Sequence, residues 1–415
     1  MSSGERQRNP LSGLKVLDLG QIYNGPYAGF LLAMGGADVV KIEPLDGEAI
    51  RGRGGGKKPS FAMAMLNSNK RGLALDLKAE EGKTLFLELA EEADVVLENF
   101  APGVMDKLGI GANVLQTANP RLIYASSTGY GLSGPAANGL AMDLTIQAAS
   151  GVMSINGPAD GPPLKTGLAI CDFYGGIHLY AGIMTALYER SVTGLGRQVE
   201  IAMQEATYPA LATNLTRMYN LGGVQPDRRG NAHPAGSSAP YNVYPASDGH
   251  VAIICVREYH WERLRSLMGR DDLKDDARFA DQPTRGREYA AVDAVVSAWT
   301  RVRTKAAITQ ALRAQRVPVA PVRELPEVIA DEHMRGRGML VDLDHPDFGE
   351  VVLPHSPLRF HGEERVALKP SPDLGAHTRA VLRDWLGYDE SRIEQLIAAG
   401  ALGAADDTQL EERAT

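Results

Sequence analysis

The stretch LKVLDLGQIYNGPYAGFLLAMGGADVVKI, residues 14–42, contains the repeating unit of the fold. LKVLDLG (14–20) is a short apolar run closed by a glycine and reads as a buried strand. Gly25-Pro26 follows, and Tyr27–Met34 reads as a helix. Proline suits a first helical turn, where its missing N–H has no intrahelical partner to lose. ADVVKI (37–42) is a second buried strand. Strand, helix and strand within about 30 residues form a βαβ unit, whose strands lie parallel.

Outward from this unit the alternation repeats. Leu73–Leu77 reads as a strand and Glu80–Ala93 as a helix with apolar residues at helical spacing. Asp94–Leu97 and Leu122–Ser126 are two more strands. The fold class expected is α/β: a doubly wound, mainly parallel, Rossmann-like sheet with helices on both faces. Beyond Ala141 the pattern turns helical, over roughly 143–150, 176–190 and 203–221. GGVQPDRRGNAHPAGSS (222–238) is dense in Gly, Pro and polar residues and reads as a linker or functional loop. Tyr241–Val256 reads as a hairpin around Ser247-Asp248-Gly249, with helices following near 258–269, 287–301 and 304–315. This divides the chain into a large α/β domain (1–221), a linker or active-site loop (222–240), a small α+β domain (241–325) and a return linker with C-terminal helices that pack on the large domain (326–415).

The chain has 415 residues, with 43 Lys+Arg against 51 Asp+Glu and a net charge of −8. That balance argues against a general nucleic-acid or membrane-surface binder. The two cysteines, Cys171 and Cys255, make no disulfide framework, and no Cys/His pair has zinc-ligand spacing, so no metal is expected. The N-terminus is polar and no apolar run is long enough to span a bilayer, so a soluble cytoplasmic protein is expected.

The glycines of the first βα turn, Gly20, Gly25 and Gly29, do not have the spacing that admits a dinucleotide pyrophosphate, which argues against NAD. The segment RGRGGGKKPSFAMAMLNSNKR (51–71) carries Arg51, Arg53, Lys57, Lys58, Lys70 and Arg71 with no acid, either a phosphate-capturing field or a solvated loop. In GPPLKTGLAICDFYGG (161–176) a single carboxylate, Asp172, stands among small and apolar residues before Gly175-Gly176. It reads as a helix cap or as a reacting group, with backbone N–H groups near the glycine pair able to face developing negative charge. Cys171 reads as a small buried residue, His178 as a packed core histidine and His233 as a loop residue within reach of a ligand.

Several blocks together resemble the family III CoA-transferases, a group that includes the α-methylacyl-CoA racemases. They are LSGLKVLDLGQIYNGPYAGFLLAMGGADVVKIEP (11–44), LNSNKRGLALDLKAEEGK (66–83), VVLENFAPGVMDKLGI (95–110), LIYASSTGYGLSGP (122–135), the segment 161–206 and PSPDLGAHTRAVL (370–382). The resemblance implies an interlocked homodimer of large and small domains. It implies coenzyme A or acyl-CoA as substrate, with a free carboxylic acid as second partner and no membrane or nucleic acid involved. It places the family's nucleophilic aspartate on Asp172 and an acidic partner on Asp143. It maps CoA contacts onto Ile22, Tyr23 and Asn24, onto Leu75, Asp76, Leu77 and Lys78, and onto Asn99, Phe100 and Lys107. The implied reaction moves CoA between acids through an aspartyl-CoA thioester and mixed anhydrides. The alternative is acyl-CoA racemisation by α-proton abstraction. The racemases place a histidine just before the aspartate that matches Asp143; here that residue is Met142, which favours the transferase. Tyr23 stands where the formyl-CoA:oxalate enzymes have a glutamine, and the loop GNAHPAGSSAPY lacks their glycine run, which argues against oxalate as acceptor. For the nucleophilic role Asp172 is expected to be ionised and to avoid deep desolvation. The 222–238 loop is the expected lid, and Arg217, Arg228, Arg229 and Arg257 are the residues expected to clamp a second carboxylate.

Overall fold

The computed structural model describes residues 9–54, 59–362 and 364–405. These divide into two compact units. One comprises residues up to 147, 168–207 and 331 onward; the other comprises 148–167 and 208–330.

The first unit is built on a seven-stranded sheet. Its parallel strands are β1 (Lys15–Asp18), β2 (Asp38–Glu43), β3 (Arg71–Leu75), β4 (Val95–Glu98), β5 (Ile123–Thr128) and β6 (Gln198–Ala202). They run in the order β3-β2-β1-β4-β5-β6, and the short strand Leu402–Gly403 adds antiparallel to the free edge of β3. The mainly parallel α/β sheet expected from residues 14–42 is therefore present. Alternate residues of β1, β2, β4 and β5 enter two different cores, as the two-residue period of a strand requires. Val16, Val39, Val95, Leu97 and Ile123 pack with the helices Asn24–Met34 and Ile170–Thr193. Leu17, Leu19, Val40, Ile42, Leu73 and Val96 pack with the helix Glu80–Glu92 and the C-terminal helices Thr378–Leu386 and Glu390–Ala398. Glu80–Glu92 shows why its sequence is helical. Leu85, Phe86, Leu89 and Ala90 form one buried stripe, and Glu80 and Glu81 in the first turn complement the helix dipole.

The strand order reverses between β1 and β4. In an open parallel sheet that reversal leaves a crevice at the carboxyl ends of the strands, which is where ligands bind. The segments leaving β1 and β4 begin with Leu19-Gly20-Gln21 and Asn99-Phe100.

The second unit holds a three-stranded antiparallel sheet, Tyr241–Ala246, Gly249–Ile254 and Val319–Pro321. The hairpin turns at Ser247-Asp248 as expected. Helices Glu258–Leu267, Tyr289–Thr300 and Lys305–Ala314 cover it around a core that includes Tyr244, Trp261, Val292 and Trp299. The guanidinium of Arg285 is wholly buried in this unit. It donates to the carbonyls of Ala239 and Phe279 and pairs with Glu258 at 2.9 Å. Residues 203–221, expected as one helix, are two short helices joined by the 3₁₀ turn Tyr208–Leu211, with Pro209 inside it.

Candidate active site

The first βα turn is held by buried groups on every side. Asp18 Oδ1 accepts the Gly20 N–H at 2.8 Å, and Lys41 Nζ donates to the Gly20 carbonyl. The Asn99 amide brackets Gln21, accepting its N–H at 2.6 Å and donating to its carbonyl at 2.9 Å. Glu48 accepts the Ile22 N–H at 2.9 Å and pairs with Lys41 at 2.8 Å, both side chains being 1% exposed. Lys70 Nζ pairs with Asp18 at 2.6 Å and donates to the Pro26 carbonyl at 2.9 Å. Burial pushes the Lys70 ammonium down to about 8 against the attraction of Asp18. These bonds hold Ile22 at φ 65°, a left-handed conformation that a β-branched residue adopts only under constraint. Gly20 and Gly25 touch backbone to backbone: a Cβ on Gly20 would lie 2.7 Å from the Gly25 carbonyl carbon.

Two cavities open at the switch point. The first, about 380 Å³, is lined by Ile22, Asn99, Phe100, Met142, Asp143 and Asp172 among others, and among the described residues no basic side chain lines it. The second, about 420 Å³, is a mostly apolar slot whose lining includes Ile42, Pro44, Leu75, Asp76, Leu77 and Lys78. Gln21 and Phe100 line both. Glu98 fixes the segment after β4 by accepting the Phe100 N–H at 2.7 Å.

Asp172 lies in the first turn of the 24-residue helix Ile170–Thr193. This helix starts six residues before the expected 176, so Asp172 is inside it and does not cap it. The cap comes from elsewhere in the chain: Asp143 Oδ1 accepts the N–H groups of Cys171 at 2.9 Å and Asp172 at 3.3 Å. Asp143 Oδ2 accepts from Gln147 Nε2 at 2.6 Å. Burial first, and the Asp143 charge second, push the Asp172 carboxyl up to about 7. The expectation of a freely ionised Asp172 is corrected accordingly: the carboxyl is half-buried, and desolvation favours its neutral form. The glycine pair is corrected too. Gly175 and Gly176 sit inside the helix, where their N–H groups belong to the helical ladder. Their role is close packing: a Cβ on Gly175 would fall 2.2 Å from Asn24 Nδ2, and one on Gly176 2.6 Å from the Asn24 carbonyl.

Of the residues singled out in the sequence, Ile22, Asn99, Phe100, Asp143 and Asp172 meet at the first cavity, and Leu75 to Lys78 with Phe100 at the second. Tyr23, Asn24 and Lys107 line neither. The Tyr23 ring stacks on Phe173 beside Asp172, with centroids 6.3 Å apart. The Asn24 amide is buried without a hydrogen-bond partner among the described residues. Lys107 is exposed at the end of the short helix Val104–Lys107.

Three of the six basic residues of the segment 51–71 are paired with acids of the first unit. Arg51 grips Glu43 with two bonds of 2.7 Å, Lys70 pairs with Asp18, and Arg71 bonds Asp38 and Asp384. Lys57 and Lys58 lie outside the described residues. Cys171 is buried as expected, whereas His178 is exposed, its ring against the Tyr174 carbonyl at 2.8 Å. Within the second unit, Arg217, Arg228 and Arg229 hold backbone carbonyls at Asp227, Pro158 and Gly286. Residues the sequence reading missed are Glu48, which holds Ile22, and Ser127, Thr128 and Gly129 at the end of β5, which line the first cavity. The carboxyl-end position of β5 was the available signal for these three.

This constellation is an α/β enzyme site: a carboxylate with a raised pKa, set at a switch-point crevice beside an apolar slot. Residues 11–378 match the model of CoA-transferase family III, and the chain belongs to that family. It is 34% identical over 407 residues to a formyl-CoA:oxalate CoA-transferase of Streptomyces avermitilis, covering 94% of this chain and 99% of the relative. It is 36% identical over 404 residues to a succinyl-CoA:mesaconate CoA-transferase of Haloarcula hispanica, covering 94% and 96%. The crystal structure of a CAIB/BAIF family protein from Brucella suis superposes with a TM-score of 0.82 at 34% identity, covering 91% of this chain and all of that one. The protein is a family III CoA-transferase. Among the described residues no helix is long and apolar enough to cross a membrane.

Proposed function

We propose that the enzyme moves CoA from an acyl-CoA thioester to a free carboxylic acid, with Asp172 as the covalent nucleophile. The observation that carries this reading is that Asp172 faces a cavity sharing Gln21 and Phe100 with the Leu75–Lys78 slot. CoA laid in the slot would bring its thioester end past Phe100 to Asp172. Ionised Asp172 attacks the thioester carbonyl, giving a mixed anhydride and CoA thiolate. The thiolate attacks the aspartyl carbonyl, giving aspartyl-CoA and releasing the donor acid. The acceptor carboxylate then displaces the thiolate, and the returning thiolate opens the second anhydride at the acceptor carbonyl, freeing Asp172. Thioester energy is conserved throughout, and one difficult step is divided into easier ones. Ile22, Asn99, Phe100 and Leu75 to Lys78 bind CoA. Tyr23, Asn24 and Lys107 flank that path, and Asp143 holds the helix start that presents Asp172. The relatives named above act on oxalate and mesaconate, so dicarboxylates are the first acceptors to test. The same reading includes an interlocked homodimer. The exposed apolar residues Leu140, Leu168, Tyr188 and Val192, each at least 70% exposed, support a partner chain.

The test is Asp172→Ala. It is expected to abolish exchange of labelled CoA between acids while the protein folds and binds CoA. Wild-type enzyme incubated with acyl-CoA and then hydroxylamine or borohydride should carry a mass change at Asp172. Retained exchange in the variant would end the assignment. Solvent-deuterium incorporation at the α-carbon of a 2-methylacyl-CoA would point to racemisation instead.

A further inference from the structure

We infer that residues 333–339 and 356–359, with Arg365, build a second anion site in the first unit, for a small doubly charged oxyanion of the phosphate or dicarboxylate kind. A cavity of about 250 Å³ lies there between the helix Glu332–Gly336 and the segment that follows the strand Gly349–Pro354. Its polar lining is His333, Arg337, Ser356, Arg359 and Arg365, and among the described residues no carboxylate lines it. It shares no lining residue with the cavity at Asp172 or with the Leu75–Lys78 slot.

Arg365 is the fixed charge of this pocket. Its Nη1 donates to the Gly338 carbonyl at 2.6 Å and the Arg337 carbonyl at 3.3 Å. Its Nη2 donates to the Ser356 carbonyl and to His355 Nδ1, both at 2.6 Å. His355 can accept there only as the neutral ring with its proton on Nε2, which faces the Val366 carbonyl at 2.9 Å. Burial holds that imidazole below its ordinary range. Arg359 also donates to the Arg337 carbonyl. The carbonyl oxygens that would repel an anion are thus already engaged, and Arg365 Nε is buried with no partner among the described residues.

What remains, among the described residues, is positive charge without a counter-charge. None of Arg337, Arg359 and Arg365 forms an ion pair among the described residues. Arg365 is held below its ordinary range by burial first and then by the Arg359 and Arg337 charges. Gathering three guanidiniums in one concavity is unfavourable by mutual repulsion unless an anion neutralises them. Arg337 and Arg359 are exposed, and their forks suit the paired oxygens of a phosphate or carboxylate. The Ser356 hydroxyl accepts the Leu358 N–H at 3.1 Å and keeps its own proton to donate. The volume suits a single small anion rather than a nucleotide.

The test compares wild type with the double variant Arg337→Gln/Arg359→Gln, which leaves the structural contacts of Arg365 in place. Inorganic phosphate and malonate are titrated separately by calorimetry, at ionic strength matched with chloride and without CoA. Saturable binding of either anion to wild type is expected, weakening roughly tenfold for each guanidinium removed. The anion that binds more tightly identifies the source, tetrahedral or dicarboxylate. CoA transfer in the absence of added anion is expected to be unchanged, so this site fails or stands independently of the role of Asp172. No saturable heat with either anion, or equal binding to the double variant, overturns the proposal. So does a change in sedimenting mass in the double variant without anion binding, which would assign the guanidiniums to a second copy of the chain.

Discussion

Asp172 works from surroundings that favour its neutral form. With its carboxyl near 7, about a tenth is ionised one pH unit below that value and about nine-tenths one unit above. Transfer that begins with the carboxylate should therefore rise with pH through about 7 and then level. Asp143 contributes the smaller part of the shift, after burial. Asp143→Asn keeps an acceptor for the Cys171 and Asp172 N–H groups but removes the charge. Its rising limb should move to lower pH by less than the whole shift, and an unmoved or upward-moved limb would refute the coupling. The same carboxyl affects stability. Its folded pKa lies above the unfolded value, so the folded state binds the proton more tightly. Stability is then lost as pH rises from the unfolded pKa near 4 through about 7. Asp172→Asn is expected to be more stable than wild type at pH 8 by up to about 2–4 kcal/mol, with no gain at pH 4. Thermal unfolding at the two pH values checks the sign.

At the level of elements, the site depends on how the first βα turn and the Ile170–Thr193 helix meet. Glu48 touches both the Ile22 N–H and Lys41. Glu48→Ala frees the strained turn and leaves Lys41 without its nearest acid, an expected cost of about 3–5 kcal/mol. Glu48→Gln keeps an acceptor for Ile22 and should recover part of kcat; equal loss in both variants would make the role structural only. Gly176→Ala should push the two helices apart and lower stability by about 1–3 kcal/mol, read from urea unfolding. These elements also show what could be read from sequence. The βαβ unit of residues 14–42 was legible because its apolar runs have strand and helix periods. The start of the Asp172 helix was not, because its cap, Asp143, comes from another segment and leaves no local signature. The pairing of basic residues in the stretch 51–71, read as a phosphate-capturing field or a solvated loop, was hidden for a related reason. Asp18 and Asp38, which neutralise Lys70 and Arg71, lie on earlier strands and approach only when the parallel strands assemble, whereas Glu43 holds Arg51 from eight residues away.

Across the whole molecule, the two units differ in how their cores are drawn from the chain. The second unit's core runs from Ala239 to Val317 without interruption. Residues 236–323 expressed alone are expected to unfold cooperatively on heating, and a featureless melt would show that the core needs the rest of the chain. Arg285→Met in that fragment should lower the midpoint, since it leaves Glu258 unpaired and removes donors from the Ala239 and Phe279 carbonyls. The first unit has no such independence. Its strand β3 is covered on one side by β2 and on the other by Leu402–Gly403, where Leu402 pairs with Leu75 and Gly403 with Ala74. Thr378 donates to the Gly403 carbonyl at 2.7 Å, and the Asp76 N–H to that of Ala401 at 3.0 Å. During synthesis the ribosome delivers these residues long after β3 has emerged. Until then β3 offers a bare hydrogen-bonding edge immediately before Asp76, Leu77 and Lys78. The nascent chain can complete its second unit while the first waits, so a translation product halted before residue 402 would carry an open sheet edge and be a natural substrate for chaperones.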